Sequence, residues 1–181
     1  GHAIGTGNND TGSGGNARTI TVTANNGNGS IRLGGPISAL GGALADNDLG
    51  DGVGNGGADS NGAGADITLN GNVILTAEST IDATVVNTTA SNEASVVRGD
   101  VDIRGTLDGA QALTVNAAQV DINGHVGTTT RLGAISIDAT GNVTTHSGTI
   151  TAESLDVHAS QRFTSGTITT TGLDNRAGGA I

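Results

Sequence analysis

The chain has 181 residues, with 32 Gly, one Pro, no Cys, Met, Trp or Tyr, a single Phe, and a net charge of −10 from 17 acidic and 7 basic residues. Without Cys there is no disulfide scaffold and no thiolate metal site. Without a positive stripe nucleic acid is not an expected partner, and no apolar run nears the roughly 18 residues of a membrane span, so no membrane insertion is expected.

The hydrophobic fraction is 34%, and aromatics, which normally supply much of a core's buried area, are nearly absent. Any core must be built from Val, Ile, Leu and Ala. All the basic residues are Arg. An acidic, Lys-free surface rich in Thr, Asn and Gly suits a protein that stays soluble outside cells, so the expected location is extracellular or at a cell surface.

In chain order, residues 1–16 are rich in Gly and Asn and read as a loop. Gly1-His2-Ala3 lacks the basic start and apolar stretch of a signal peptide, so the sequence reads as a mature product or an excised piece. Ala17-Arg18-Thr19-Ile20 opens a strand that continues to Val22. A pattern of apolar, any, apolar, any, Gly, any, apolar then recurs. It reads as Ile31, Leu33, Gly35, Ile37, and again as Ile67, Leu69, Gly71, Val73. It returns as Val101, Ile103, Gly105, Leu107 and as Val120, Ile122, Gly124, Val126, the last two spaced by 19 residues. Residues 41–64 interrupt the pattern with an aperiodic Gly/Asp/Asn stretch that reads as a projecting loop, and 86–95 read as a smaller one.

From 101 to 175 the repeat runs almost without interruption. Three apolar sets emerge. One holds Val101/Ile103, Val120/Ile122, Val143 and Phe163. A second holds Leu107, Val126, Ile150 and Ile168. The third holds Leu113/Val115, Ile135/Ile137, Leu155/Val157 and Leu173. Alternation within each set is the period of a half-buried strand, and Thr and Val enrichment favours strand over helix. Gly and Asn between the sets suit corners that need positive φ. A unit of this length cannot bury its own apolar side, so neighbours must stack on it. The expected fold is all-β: a right-handed parallel β-helix (β-solenoid), with about 18–20 residues and three short strands per coil, as one segment over 1–181. Gly179-Ala180-Ile181 resembles the opening of another strand. The expectation is therefore either stacking of copies end to end or continuation in a longer chain.

The repeats Val-Asp-Ile-Arg-Gly-Thr-Leu and Val-Asp-Ile-Asn-Gly-His-Val, at 101–107 and 120–126, resemble those of filamentous-haemagglutinin-type secreted bacterial exoproteins and autotransporter passengers. The likeness covers roughly residues 17–40 and 65–175. It implies a β-helical rod that holds adhesive or toxic parts away from a cell, with host or matrix glycans as possible partners. The insertion at 41–64 departs from a plain rod.

Asp46-Asn47-Asp48-Leu49-Gly50-Asp51-Gly52 is the best metal candidate. Alternating carboxylates around Gly suit hard, many-oxygen Ca²⁺, although the bidentate Glu that closes an EF-hand loop is missing. Asp46, Asp48 and Asp51 are the candidate calcium ligands, weighed against a simple solvated acidic loop. No other cofactor is expected. Asp102 and Asp121 should stack outward on adjacent coils, with Arg104 placed to balance Asp102. His125, His146 and His158 fall at outward or corner positions of different coils, and no nucleophile, base and orienter come together. The sole aromatic, Phe163, is expected to point inward. The chain is therefore expected not to be an enzyme. Stacked threonines at Thr149/Thr151 and Thr167/Thr169 make too small a plane for ice binding. The expected function is a structural repeat segment or subunit of an extracellular filament or surface adhesin, stacking end to end into a fibre. The alternative is a calcium- or glycan-binding β-helix module of a secreted adhesin.

Overall fold

The computed structural model describes residues 15–42, 62–85, 97–146 and 148–172. The first stretch carries β1 (Ile20–Thr23), β2 (Ser30–Leu33) and β3 (Ile37–Ser38). The second carries β4 (Ile67–Asn70), β5 (Asn72–Leu75) and β6 (Ser79–Asp82). In the third lie β7 (Val101–Ile103), β8 (Leu107–Asp108), β9 (Leu113–Ala117), β10 (Val120–Ile122), β11 (Leu132–Ala139) and β12 (Val143–Thr145). The last holds β13 (Thr149–Ala159), β14 (Phe163–Thr164) and β15 (Thr167–Thr170). One short 3-10 turn, Asn25–Gly27, sits between β1 and β2.

The described structure is nearly all β, and each of its strand pairings is parallel. One sheet runs β1-β4-β7-β10-β12-β14, another runs β15-β13-β11-β9-β6-β3, and a third runs β2-β5-β8. Single bridges extend the third from Leu107 to Val126 and from Val126 to Ile150. Identical register places like residues over one another. Ile20, Ile67, Val101, Val120, Val143 and Phe163 form one column. Ile37, Ile81, Val115, Ile137 and Val157 form another.

These columns are the core. Ile67, Leu69, Ile81, Ile103, Leu107, Leu132 and Val143 are fully buried. Each such side chain contributes about 1.5–3 kcal/mol through removal from water, which is how a core works here without aromatics. The column of Leu69, Ile103 and Ile122 turns polar at Thr145, whose hydroxyl donates to Ser165 Oγ at 3.1 Å. The register puts Phe163 in the inward column over Val143, but its side chain is 36% exposed because β14 is the last strand of its sheet among the described residues.

Two expectations need correction. The pattern beginning at Ile31 is not equivalent to the one at Ile67. Ile31 lies opposite Val73, and Ile20 lies opposite Ile67. Apolar-x-apolar segments recur at every strand, so the pattern match slipped by one strand. Two of the corner glycines also serve a purpose different from the one expected. Among the corner residues Asn25, Asn26, Gly27, Gly71 and Gly148 do have positive φ, but Gly105 and Gly124 do not. Their constraint is proximity: a Cβ on Gly105 would sit 2.4 Å from the Gly71 carbonyl oxygen, and one on Gly124 would sit 2.2 Å from that of Gly105. Stacked corners leave no room for a side chain.

The remaining corner, where the sheet ending at β3 and β15 hands over to β1's sheet, is where the chain makes its detours. Ala65 N–H donates to the Ala39 carbonyl at 3.1 Å, and Gly99 N–H to that of Ala83 at 2.7 Å. The chain departs and returns between those pairs. In the next layer Ala117 passes straight to Ala118, whose N–H bonds the Gly99 carbonyl at 2.7 Å. The stems of the two detours also stack: Gly41 bridges Val85 in parallel, and Gly64 N–H reaches the Val97 carbonyl at 2.8 Å. Gly62 N–H closes the first detour on the Gly42 carbonyl at 2.9 Å. The expected loops at 41–64 and 86–95 thus leave from one corner, and most of their residues lie outside the described ones. So do most of 1–16, Leu173 and the last residues.

Gly124→Ala should cost about 1–3 kcal/mol through overpacking against backbone, a fall of about 2–12 °C in melting temperature at this size. Gly35→Ala, where nothing lies within 4 Å of the added methyl, should melt like the parent by circular dichroism. Equal melting of the two variants would refute the proximity argument.

Candidate functional site

The outward face of the sheet β1-β4-β7-β10-β12-β14 gathers charged and amide side chains from successive strands. It arises because a parallel ladder with like registers stacks equivalent outward positions. Asp102 stands opposite Asp121, and Asp121 opposite Thr144. Bare carboxylates so placed repel. Here each has a base beside it. Arg104 Nε lies 2.7 Å from Asp102 Oδ2, as its i+2 position on the same face predicts, and Asn123 Nδ2 donates to Asp102 Oδ1 at 3.3 Å.

His146 Nε2 lies 2.8 Å from Asp121 Oδ1. That oxygen is shielded from water and receives no well-aligned hydrogen bond, so the contact works as an ion pair when the imidazole is protonated. The reading of the sequence missed this pair. His146 follows β12, and its position is diagonal to Asp121 across the ladder, a relation visible only once the β10–β12 register is known.

One row outward, Asp66 and Asp100 form a carboxylate pair with no ion-pairing cation in the described structure. Asp66 Oδ1 accepts the Asp100 backbone N–H at 2.9 Å, and Gln119 Nε2 donates to Asp100 Oδ2 at 3.4 Å. Partial burial, and then the Asp66 charge, push the Asp100 pKa up from its ordinary 3.8, while hydrogen bonds from Gln119 pull it back.

Two shallow clefts mark this face. One, about 250 Å³, is lined by Asp100, Asp102, Gln119, Asp121, Asn142 and Thr144 among others. The other, about 430 Å³, is lined by Asn142, Thr144, Gln161, Arg162 and Thr164. Both offer amide, hydroxyl and charged groups and neither offers an aromatic platform. They can hydrogen-bond a polar surface or solute. The other histidines are elsewhere: His158 Nδ1 lies 3.6 Å from Asp156 Oδ1 on the sheet of β13, both well exposed, and His125 sits at the corner after β10.

Two arginines tie distant layers. Arg98 Nη1 holds the Asp138 carboxylate at 2.8 Å, and Arg131 Nη1 holds the carbonyls of Thr171 and Gly172 at 2.7 and 2.9 Å. The buried carboxylate of Asp108 accepts the backbone N–H groups of Thr129 and Thr130 at 2.9 and 3.1 Å, shaping the turn before β11. The outward threonines pair as expected, Thr149 with Thr167 and Thr151 with Thr169.

The calcium candidates Asp46, Asp48 and Asp51 lie outside the described residues. Among the described residues no group of three or more His, Cys, Asp or Glu converges on a point that a metal ion would occupy. No protein-family model, curated protein or solved structure matches this chain.

Asp100 yields a pH prediction. Its folded carboxyl keeps its proton to higher pH than the unfolded one, so the stability it contributes is complete below about pH 3.8 and is lost as pH rises through the raised value. Asp100→Asn, which can still accept from Gln119, should therefore melt slightly higher than the parent at pH 7. The gain should vanish below pH 3.8. A thermal-melt series in pH that shows no gain at neutrality, or a gain that grows on acidification, would contradict this account.

Proposed function

We propose that the chain is a segment of right-handed parallel β-helix with about 18–20 residues and three short strands per coil, and that it serves as a rod segment or subunit of an extracellular filament or surface adhesin of the filamentous-haemagglutinin-like type, stacking end to end into a fibre. The observation that carries this reading is the unbroken parallel register. Strands 19 residues apart, such as β7 and β10, pair in the same phase as strands separated by an insertion, such as β1 and β4. A chain that returns to the same register after detours of different length is behaving as a stack of equivalent turns. Right-handedness follows from the general rule for parallel crossovers.

In this reading the work is mechanical. Each strand's backbone is bonded to the layers above and below, so a load along the stack is shared among many short hydrogen bonds. Catalysis is not part of the proposal: the clefts are open and polar, and the described histidines face different directions. The extracellular setting rests on composition, that is, on acidity and the lack of Lys and Cys.

A second reading, a calcium- or glycan-binding β-helix module, is favoured by one observation. Both insertions are anchored by stacked stems at the same corner, which would present them side by side. Asp46, Asp48 and Asp51 would then be the calcium ligands.

Electron microscopy of the purified chain at neutral pH should show filaments whose fibre diffraction carries a meridional spacing of about 4.8 Å, the distance between stacked strands. Short monodisperse rods would reject self-assembly and leave a spacer role within a longer protein. Under the second reading, calcium should raise the melting temperature of the parent and leave the Asp46→Ala/Asp48→Ala/Asp51→Ala variant unmoved; identical melts with calcium and with chelator would dismiss it.

A further inference from the structure

We infer that the two outermost edges of the described sheets are complementary to each other, and that a second copy of this chain docks head to tail with Phe163 over Ile20, Thr164 over Thr21 and Ile168 over Ile31. The inference rests on the fibre reading above and adds to it the residues that meet and their register.

Three observations carry it. The first is burial. Inside the stack the column of Ile67, Val101, Val120 and Val143 is 0–1% exposed, yet its continuation Phe163 is 36% exposed at one edge, and Ile20 is only partly buried at the other. The second column behaves alike. Val73, Leu107, Val126 and Ile150 are buried, while Ile168 is only partly so. Phe163 and Ile168 at one edge and Ile20 at the other are thus less covered than their columns inside, while Ile31, under Ile168 in the inferred register, is 6% exposed.

The second observation is polarity. All pairings are parallel, so β1 and β14 run the same way, and a translation along the stack brings β14 of one copy onto β1 of the next as a further parallel pair. The same translation brings β15 onto β2. Thr167 then meets Ser30, Ile168 meets Ile31, and Thr170 meets Leu33, continuing the register of β13 on β15 and of β2 on β5. A head-to-tail contact of this kind is heterologous and does not close, so it propagates.

The third is charge. The chain carries 17 carboxylates, yet residues 15–42 and 157–172 contain none. Among the described residues acidic side chains are confined to the layers between those two edges. In the inferred register the edge arginines avoid one another: Arg162 faces Thr19, Arg18 faces Gln161, and Arg32 faces Thr169. Among the described residues, neither carboxylates nor the edge arginines set like charges across the contact, where they would cost affinity.

The chain has no native Cys, so a disulfide reports the register directly. Stacked strands lie about 4.8 Å apart, inside the roughly 4.4–6.8 Å Cα window of a disulfide. Within one chain β1 and β14 are five strand steps apart, about 24 Å, beyond reach. The variant Thr21→Cys/Thr164→Cys should give, after mild oxidation, a non-reducing ladder of trimers and larger species, while each single variant stops at dimers. Thr21→Cys/Thr68→Cys, whose residues stand opposite each other in one molecule, should close internally and shows that the geometry permits a bond. Thr23→Cys/Thr164→Cys, two residues out of register, should give about tenfold less polymer because its Cα atoms stand beyond about 7 Å. Micrographs of the same samples separate the possible failures. Filaments without a Thr21–Thr164 ladder would overturn this register and leave the fibre reading intact. Single rods without a ladder, meaning that something other than a second copy covers the edges, would overturn both.

Discussion

The constraint on which the rest of this structure depends is the close parallel stacking of one layer's backbone on the next. Hydrogen bonds such as Val101 N–H to the Gln119 carbonyl at 2.9 Å and Val120 N–H to that of Asn142 at 3.0 Å repeat from layer to layer. They fix the spacing, and the spacing dictates what can occupy each position. At the corners it leaves no room for a Cβ on Gly105 or Gly124. On the inner side it turns Val, Ile and Leu into continuous columns, dense enough to dispense with aromatics. The same stacking that supplies the hydrogen bonds thus selects both the glycines and the β-branched core.

On the outer side the same constraint creates a problem and the sequence supplies an answer. Equal register forces Asp102 against Asp121. Arg104 and His146 flank them at 2.7 and 2.8 Å, so the pair persists on a face that also carries Thr, Asn and Gln. Asp66 and Asp100 lack such balance, and Asp100, partly buried and then beside the Asp66 charge, holds its proton more firmly than usual. The pairs are exposed enough that each is worth little in stability. Their significance lies in pattern: strands paired in equal register repeat on the outer face whatever they carry.

The corner between Ala39 and Ala65, and again between Ala83 and Gly99, tolerates long additions because the neck closes behind them. Elsewhere the chain turns tightly, as at Ala117–Ala118. The parallel sheets thus have one corner at which sequence can be added without disturbing the ladder.

The apolar alternation, the 19-residue spacing of Val101-Asp-Ile103 and Val120-Asp-Ile122, and the absence of aromatics and Cys were enough to determine a parallel β architecture and to assign the three strand sets from Val101 onward. Those are properties of short-range periodicity, and periodicity is written in the chain. Aperiodic Gly/Asp/Asn composition at 41–64 and 86–95 cannot join the columns, and most of those residues lie outside the described ones. Only the tertiary structure decided the register of the first layer, where Ile20 and not Ile31 meets Ile67, since any apolar-x-apolar segment fits any strand position when viewed alone. It also decided why Gly105 and Gly124 are glycine, because a neighbour's carbonyl at 2.2–2.4 Å is invisible in one layer's sequence. And it decided that His146 serves Asp121, that Arg98 reaches Asp138, and that both insertions leave from one corner. Each of these relations crosses between layers, and their distances depend on how many residues the chain spends at every corner in between.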